Sequence, residues 1–528
     1  MERGTGGEDL TPARPVRSPG RPAAVGNPAD GPHIPSMTLF ATKPIAVLRA
    51  EAEATGEHAL VRALGPLNLV TLGIGAVIGA GIFVITGQVA ALYAGPAVPL
   101  SMILVGIACG FAGLCYAEMA SAVPVAGSAY TYSYATMGEL AAWIIGWDLV
   151  LEYAAGAATV GVGWSGHFVS LLGLFGVRIP ASLTAPPTQL CTTAQVTAHA
   201  VGCVHPGLNL TGAIINLPAV GIVALMSAVL IIGIKESARV NTLIVTLKVA
   251  IVLLVALVGL SHITPANLTP FIPPNSGEWG TYGWSGVLRG AGLVFFSYIG
   301  FDTVSTAAQE SKNPQRDMPI GILGSLAICT LLYVVVSAVL VGMVPYGELN
   351  IPAPMAYAME RIGAPWWIRV SIDVGAVLGI GSVILVMLLG QSRVFYSMSR
   401  DGLLGPWAGK VHPRFRTPYL STIYTGIAVC LATGLLPLQL LGTWVNIGTL
   451  LAFVLVCAGV WILRHTRPDL ERPFRTPLVP LVPLLGILSC LGLMLTLPLD
   501  TWIRLAVWLM IGFGIYFGYG RRHSTLKT

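Results

Sequence analysis

The chain of 528 residues is 55% hydrophobic and only 10% charged, with a formal net charge of +6. This composition is too apolar and too poor in charge for a soluble globular protein of this length. We therefore interpret the sequence as an all-α polytopic membrane protein, in which each crossing needs about 20 mostly apolar residues.

The N-terminal region differs from the rest of the chain, being rich in Pro, Gly and Arg and lacking an apolar segment. We expect residues 1–36 to be a disordered tail, neither a signal peptide nor a folded domain, unless translation starts at Met37. The charged, Ala-rich residues 37–66 predict a cytoplasmic lead-in helix.

About twelve apolar stretches follow, each long enough to cross a bilayer. Their approximate bounds are 67–92, 98–122, 140–174, 213–234, 240–262, 287–309, 318–344, 368–398, 418–436, 442–463, 478–498 and 500–520. If both termini are cytoplasmic, about 22 Lys and Arg lie on the cytoplasmic side of these spans, against 2 (Arg178 and Arg361) outside. This bias predicts a multi-pass protein of the plasma (inner) membrane, with the tail 521–528 in the cytoplasm. The basic residues therefore indicate orientation and not nucleic-acid binding.

Six of the eight cysteines lie within spans, where we expect them to pack as small apolar side chains. Cys191 and Cys203 share the predicted external loop after the third span. We expect a disulfide between them if that compartment is oxidising, with free thiols as the alternative.

The first span contains four glycines within nine residues, in the string GIGAVIGAGIF. Glycine makes the backbone easy to unwind, and a membrane tolerates irregular backbone only where it is buried in protein or lines a cavity. The alternative is close helix packing through the small residues Gly75 and Gly79. A dinucleotide-binding loop is excluded because that motif requires a preceding strand.

The sixth span, GLVFFSYIGFDTVSTAAQES, carries a comparable interruption, with Ser297, Gly300 and Asp302 at its centre. Interruptions at corresponding positions of two five-helix halves indicate an inverted-repeat transporter with its site at the midplane. The N-terminus of a half-helix attracts an anion, and freed carbonyls accept hydrogen bonds from a cation. An amino acid carries both a carboxylate and an ammonium on one carbon.

A charged side chain at the centre of a membrane helix costs roughly 2.5–3.5 kcal/mol, so each one is a functional hypothesis. The informative positions are Asp148, Glu152, Lys248, Asp302, Asp373 and Arg393.

Four long motifs carry a family resemblance: GIGAVIGAGIFVITG, CYAEMASAVPVAGSAYTYSYATMGELAAWIIGWDLVLEY, FFSYIGFDTVSTAAQESKNPQRDMPIGI and GQSRVFYSMSRDGLLGPWAGKVHPRFRTP. They resemble the cationic amino acid transporter branch of the amino acid-polyamine-organocation superfamily, over roughly residues 38–515. The resemblance implies a five-plus-five inverted repeat with broken helices 1 and 6, formed by residues 67–262 and 287–463. Residues 478–520 would form the peripheral helices 11 and 12. Bacterial members of this branch include proton-coupled importers of neutral amino acids, so the family name does not fix the substrate.

The resemblance also implies a binding site. The substrate carboxylate is expected at the N–H groups of Ala80 and Gly81, just after the break at Gly79. The ammonium is expected at the carbonyls of Val77, Phe296 and Ile299, with Ser297 nearby.

Side chains around this site have two interpretations each. Phe296 and Phe301 are expected to act as gates or to pack in the core. Met387 either limits the depth of the pocket or packs simply within its helix. Arg393 and Glu118 are expected to pair and close an inner gate, or else to anchor loops.

In proton-coupled relatives, a lysine at the position of Lys248 lies between the broken first helix and the eighth. Burial disfavours a charged ammonium, so reversible protonation makes Lys248 a candidate proton carrier; a permanently charged ammonium that bridges carbonyls is the alternative. Glu152 and Asp302 favour a cationic substrate if they stay ionised and face the pocket. They leave it for small neutral side chains if they bind freed backbone or hydroxyl groups.

These observations predict a secondary active amino acid transporter, a proton symporter that imports its substrate by alternating access. The alternatives are an exchanger of the same fold and a non-transporting amino acid sensor. An enzyme is not expected, because His167 is the only histidine clearly within a span and no nucleophile motif accompanies it. The expected partners are an amino acid, protons and the lipid bilayer; no cofactor, metal or nucleic acid is implied, and an accessory subunit stays open.

Overall fold

The computed structural model describes residues 39–48, 64–125, 127–191, 196, 203–233, 238–415 and 417–527. The predicted tail and most of the predicted lead-in helix lie outside the described residues. Of the lead-in segment, residues 45–48 form one helical turn.

Helices dominate the described chain. In chain order the α-helices are α1 (Pro66–Val77), α2 (Thr86–Val89), α3 (Val98–Ala122), α4 (Ser128–Thr136), α5 (Glu139–Leu174), α6 (Leu217–Ile232), α7 (Ala238–Leu260), α8 (Gly283–Val294), α9 (Pro314–Met343), α10 (Pro354–Arg361), α11 (Trp366–Arg400), α12 (Tyr419–Leu435), α13 (Leu438–Thr466), α14 (Leu481–Thr496) and α15 (Leu499–Ile515). The strands β1 (Thr188–Cys191) and β2 (Gly207–Leu210) pair antiparallel. A disulfide joins Cys191 to Cys203 beside this two-stranded sheet.

Length and composition identify 8 helical segments in the described chain that are able to cross a membrane. They are Pro66–Ala122, Glu139–Leu174, Thr242–Leu260, Gly283–Glu310, Pro314–Met343, Trp366–Arg400, Leu438–Thr466 and Leu499–His523. The helices α6, α12 and α14 are apolar but shorter, with 16 or 17 residues. The mostly helical, polytopic fold class is confirmed, whereas the count of twelve crossings and the inverted repeat stay predictions.

The longest helix, α5, gives the molecule two opposite ends. It has 36 residues and therefore extends roughly 54 Å at about 1.5 Å per residue. At its start the carboxylate of Glu139 accepts hydrogen bonds from Tyr134 and Tyr516 and contacts Ser524 near the C-terminus. Beyond its other end lies the two-stranded sheet. We call these ends the terminal face and the sheet face.

The first described segment of the chain and its C-terminal segment are both held at the terminal face by polar contacts. The ammonium of Lys43 lies 3.0 Å from Oδ1 of Asp401, at the end of α11, and the Tyr130 hydroxyl donates to Oδ2 over 2.6 Å. The backbone N–H of Thr525 donates to the Asp401 carbonyl. Asp401 therefore joins the segment before α1, the end of α11 and the C-terminal segment.

Between the two faces, the long helices pack in pairs around the interrupted segments. α5 packs along α11 and α13, while α9 packs along α3 and α1. The interrupted segments that follow α1 and α8 lie inside this frame and are buried, except for Thr306, Gln309 and Glu310 towards the terminal face.

The structure corrects the expected pair between Arg393 and Glu118. Glu118 is buried at the end of α3 and forms two hydrogen bonds of 2.8 Å with Arg464. Its carboxylate also accepts the N–H of Thr476 and lies 3.3 Å from Nε of Arg472. Arg464 lies in the last turn of α13, and the loop after that helix brings Arg472 and Thr476 to the same carboxylate. These contacts depend on tertiary packing and not on sequence spacing.

We predict that Glu118→Gln lowers the thermal unfolding midpoint of the purified protein in detergent. The substitution leaves two arginines and a buried amide around a neutral group, and removing one partner of a buried ion pair costs about 3–5 kcal/mol in other proteins. Glu348→Gln is the matched control, because the Glu348–Arg361 pair is largely exposed. An unchanged midpoint for Glu118→Gln would show that this loop is not held by the carboxylate.

Candidate functional site

The first helix is interrupted after α1. Ile78 has extended backbone angles (φ −73°, ψ 99°), and helical structure resumes in a π-helical segment, Gly81–Ile85. The first backbone hydrogen bond of this second half runs from the Phe83 N–H to the Gly79 carbonyl. The N–H groups of Ala80 and Gly81 therefore belong to its first turn, where a helix has no acceptor of its own.

The second interruption follows α8. A short 3₁₀ segment, Phe295–Tyr298, leads to Ile299 in an extended conformation (φ −62°, ψ 133°). Gly300 then adopts φ +121°, a left-handed value that strains any residue with a side chain. The chain continues as a second 3₁₀ segment, Asp302–Glu310.

The two breaks face each other at close range. A Cβ added at Gly81 would overlap the Cα and side chain of Ser297. A Cβ added at Gly300 would lie 2.9 Å from the carbonyl oxygen of Ala76. Two glycines in these strings are therefore needed for close approach of backbone to backbone, and both predicted interruptions are present.

Most carbonyls at the end of α1 have donors that can be identified. The last helical hydrogen bond runs from the Ile78 N–H to the Ile74 carbonyl. The carbonyls that follow Ile74 therefore have no acceptor role within the helix and need other donors. The Lys248 ammonium donates to the carbonyls of Gly75 (2.8 Å) and Ile78 (3.2 Å). The Tyr333 hydroxyl donates to the carbonyl of Val77 over 2.7 Å. A cation and a phenol thus cap the broken helix end, where the helix dipole favours positive charge.

Lys248 extends into the interface between the broken first helix and α11, where the family resemblance implies a lysine. It lies on α7 with 1% of its surface exposed, and its Cγ and Cε would lie 3.0 Å from a Cβ at Gly379 on α11. The absence of a side chain at Gly379 leaves the space through which the lysine extends. Lys248 therefore lies between the first break and α11.

The Ser297 hydroxyl, unlike the polar groups of Lys248 and Tyr333, makes no hydrogen bond in the described part of the chain. Ser297 is 1% exposed and lies directly against Gly81, between the two breaks. A buried polar group without a partner costs free energy, so this hydroxyl is a hydrogen-bonding group that the described protein leaves available to a ligand.

The carbonyls expected to bind the ammonium differ in their availability. Val77 already accepts the Tyr333 hydroxyl and has one further lone pair. The Phe296 carbonyl accepts the Ile299 N–H in a long bond of 3.3 Å. Sequence reasoning missed Tyr333; a tyrosine in the middle of a span, whose hydroxyl needs a partner, was the available signal.

The acidic residues near the second break are not equivalent. Asp302 is buried, and its Oδ1 accepts the Gly300 N–H at 3.2 Å, so it binds backbone freed by the break. Glu152 on α5 lies near Asp302 and Asp148, and both of its oxygens lack hydrogen-bond partners among the described residues. Asp148 packs against Gly448 on α13.

The side of the breaks nearest α5 and α11 is lined by small residues. The Ala80 Cβ lies 3.2 Å from the position of a Cβ at Gly163, and the Met387 sulfur lies 3.5 Å from that of Gly156. Met387 is therefore buried against α5 at the level of Glu152, one turn from Gly156.

The two phenylalanines considered as gates occupy different surroundings. Phe301 is fully buried, with ring centroids 6.0 Å from Tyr116 and 5.1 Å from Phe453. This aromatic cluster gives Phe301 a packing role. Phe296, 5% exposed, is in the segment just before the second break.

A cavity of about 220 Å³ opens at the terminal face and is lined by Lys43, Tyr153, Arg393 and Asp401, among others. Nη2 of Arg393 lies 3.7 Å from Oε1 of Glu310, the last residue of the segment after the second break. Arg393 therefore bridges α11 and the interrupted helix through Glu310, which the sequence analysis did not consider.

His167, the histidine predicted to lie within a span, has a hydrogen-bonding partner on another helix. Nδ1 of His167 lies 2.9 Å from Asp373 on α11, whose other oxygen accepts the Ser170 hydroxyl over 2.7 Å. Its ring contacts Phe83 edge to face at 5.8 Å. This cluster joins α5 to α11 on the sheet-face side of the breaks.

Comparison with known proteins gives a consistent result. Residues 64–516 match the family profile described as amino acid permease. The chain is 44% identical to the methylthioribose transporter of Bacillus subtilis (strain 168), over 93% of this chain and 99% of that protein. It is 47% identical to the branched-chain amino acid permease BcaP of the same organism, over 90% and 96%. It is 40% identical to the chloroplastic cationic amino acid transporter 9 of Arabidopsis thaliana, over 78% and 68%. These relatives are named as transporters or permeases, not as enzymes.

We predict that Gly81→Ala impairs the site, because the new methyl group overlaps the backbone of Ser297 and forces the two breaks apart. Thermal unfolding of the purified variant should show a lower midpoint. Gly492→Ala, on α14, is the matched control, since a Cβ there meets nothing within 4 Å. Equal midpoints for the two variants would contradict the close approach of the breaks.

Proposed function

The chain belongs to the amino acid permease family, and we propose that it imports a neutral amino acid together with protons by alternating access. In this proposal the terminal face is cytoplasmic, the sheet face is external, and the chain crosses the plasma (inner) membrane twelve times. Two five-helix repeats, residues 67–262 and 287–463, carry one break each, and residues 478–520 form two peripheral helices.

The observation that carries the proposal is the pair of facing breaks around the unpartnered Ser297 hydroxyl. The N–H groups of Ala80 and Gly81 start a half-helix, which suits a carboxylate. The carbonyls of Phe296 and Ile299, with the second lone pair of Val77, suit an ammonium. A free amino acid presents both groups on one carbon, so it matches the donors and acceptors of the two breaks.

The choice of a neutral side chain is supported by the use made of Asp302. Its carboxylate binds the Gly300 N–H and stabilises the break, which leaves it less available as a counter-ion for a cationic substrate. The contact between Met387 and Gly156 closes the space next to Glu152. A small or branched apolar side chain fits these surroundings better than the long cationic chain of lysine or arginine.

The position of Lys248 supports the proposal of coupling to protons. The protonated ammonium donates to Gly75 and to Ile78, the residue at which the first helix breaks. A neutral amine has fewer protons to donate and loses its electrostatic attraction to these carbonyls, so the break is held less firmly. Because linkage is reciprocal, a proton that stabilises the binding-competent break also binds more tightly when substrate is present.

The two faces supply what alternating access requires. The terminal-face cavity ends before the breaks, since no residue of 77–81 or 296–300 lines it. The Arg393–Glu310 contact and the Lys43–Asp401 ion pair lie at this face. We propose that these contacts separate when the cytoplasmic path opens.

The test is uptake by the purified protein in liposomes, with labelled leucine, lysine and methylthioribose supplied separately under an imposed pH gradient. We expect leucine to accumulate against its concentration gradient and lysine not to. Methylthioribose, which has neither a carboxylate nor an ammonium, is included because one relative is named for it. Accumulation of methylthioribose alone would overturn the assignment of an amino acid substrate. Binding of leucine without uptake would indicate a non-transporting amino acid sensor. Uptake that requires an amino acid on the opposite side would indicate an exchanger.

We predict that Lys248→Met abolishes leucine uptake driven by the pH gradient, because methionine has no proton to exchange and no charge to cap α1. Lys410→Met, at an exposed loop position, is the control and should retain uptake. Full gradient-driven uptake in Lys248→Met would remove the lysine from the coupling mechanism.

We further predict that Met387→Ala broadens the range of neutral substrates, because it removes bulk that faces Gly156. Competition against labelled leucine by phenylalanine and methionine should become stronger by about tenfold, as expected when a steric cost of about 1.4 kcal/mol is relieved. Met318→Ala, a buried methionine on α9, is the control for a general loss of packing. Equal changes in both variants would argue against a specific role for Met387.

A further inference from the structure

A second cavity, which we call the vestibule, opens at the sheet face and has a volume of about 340 Å³. This is room for about ten water molecules at roughly 30 Å³ each, or for one amino acid with a few waters. Its walls come from the segment after the first break (Ile85 to Tyr93), from α8 and the segment before it, which includes Glu278, from α13, from the start of α15 and from the loop that holds the Cys191 disulfide.

The vestibule contains a guanidinium without a carboxylate partner. Arg289 lies on α8 with its guanidinium carbon 5.1 Å from the centre of the Tyr93 ring. Its Nη1 makes one long hydrogen bond of 3.3 Å with the Trp279 carbonyl, and its buried Nε has no partner in the described chain. The described residues place no carboxylate within ion-pair distance of Arg289.

The other arginine of the vestibule differs in this respect. Arg504 is held by Asp500 one turn earlier on α15, in a close ion pair. Its charge is therefore already balanced, and Arg289 is the guanidinium available to an anion.

An unpartnered acceptor lies one turn deeper. Asn446 on α13 is 1% exposed, and its Nδ2 donates to the carbonyls of Gly292 (2.9 Å) and Leu293 (3.0 Å). These two bonds use both amide protons and fix the orientation of the amide. Its Oδ1 is left buried without a hydrogen-bond partner among the residues described. Leu293, which accepts from Asn446, follows Arg289 by one helical turn, and both line the vestibule with Asn446.

We propose that the vestibule binds a second free amino acid, with its carboxylate on Arg289 and its ammonium at Oδ1 of Asn446. This inference rests on the proposed function, because the ligand is the transported amino acid on its way to the breaks. A guanidinium without a carboxylate partner and a neutral oxygen acceptor without a donor, both lining one cavity, match the two charged groups of a zwitterion.

The position of the vestibule makes it an entry site. Along α8 and the segment after it, Arg289 precedes Ser297 by two turns, roughly 12 Å at about 1.5 Å per residue. Ile85, which lines the vestibule, ends the π-helical segment that begins at Gly81. An amino acid held in the vestibule is therefore adjacent to the breaks but does not occupy them.

The test combines binding stoichiometry with the sidedness of transport. Equilibrium dialysis of the purified full chain over a range of labelled leucine concentrations should give two leucines per chain in the wild type. In Arg289→Met, one of the two should bind about tenfold more weakly and the other with unchanged affinity. In cells, Arg289→Met should raise the KM for external leucine by about tenfold, the loss expected for a charge-assisted hydrogen bond. The maximal rate and the KM for efflux from preloaded cells should stay unchanged.

Two further variants make the result specific. Arg289→Lys keeps the positive charge and should recover part of the external affinity, and it replaces Arg289→Met if that variant does not fold. Arg504→Met changes a paired arginine of the same cavity and should still bind two leucines. One leucine per wild-type chain, or an equal rise in KM on both sides, would overturn the vestibule site. A wild type that neither binds nor transports leucine would instead overturn the proposed function.

Discussion

The ammonium of Lys248 at the end of α1 is the interaction on which the rest of the site depends. A helix that stops inside a membrane exposes carbonyls that no water reaches, and each unpaired group costs several kcal/mol. Lys248 donates hydrogen bonds to the carbonyls of Gly75 and Ile78, and the Tyr333 hydroxyl donates one to the carbonyl of Val77. Because these donors are supplied from α7 and α9, the break is stabilised by tertiary contacts and not by its own sequence.

With the carbonyls of α1 satisfied, the N–H groups on the other side of the break remain available. The second break approaches so closely that Gly81 and Gly300 have no room for side chains. In the function we propose, the backbone recognises the carboxylate and the ammonium. Side chains at the edge, chiefly Met387, Asp302 and Glu152, then select among amino acids. In this proposal, relatives that share the backbone site are named for different classes of amino acid, branched-chain or cationic, because their side chains at the edge differ.

The two breaks and the functional importance of Lys248 were predicted because each departs from what a membrane helix normally tolerates, whereas the place of Lys248 between two helices was implied by the family resemblance. Glycines clustered at mid-span and a lysine flanked by apolar residues are conspicuous in the sequence alone. The partners of Glu118 were not predictable, since Arg464 at the end of α13 and Arg472 in the loop after it reach the carboxylate only through tertiary packing. Tyr333, Glu310 and Asn446 were missed for a related reason: a single polar residue in a span reveals its role only when its partner, or the lack of one, is visible.

The central claim is that the freed backbone of the two breaks recognises both charged groups of an amino acid. Competition against labelled leucine by N-acetylleucine, which lacks the ammonium, and by leucinamide, which lacks the carboxylate, tests it most directly. The account predicts that unlabelled leucine competes fully and that each analogue competes at least about a hundredfold more weakly, the cost of one lost charge-assisted contact in a dry site. Competition by either analogue as strong as that by leucine would contradict it.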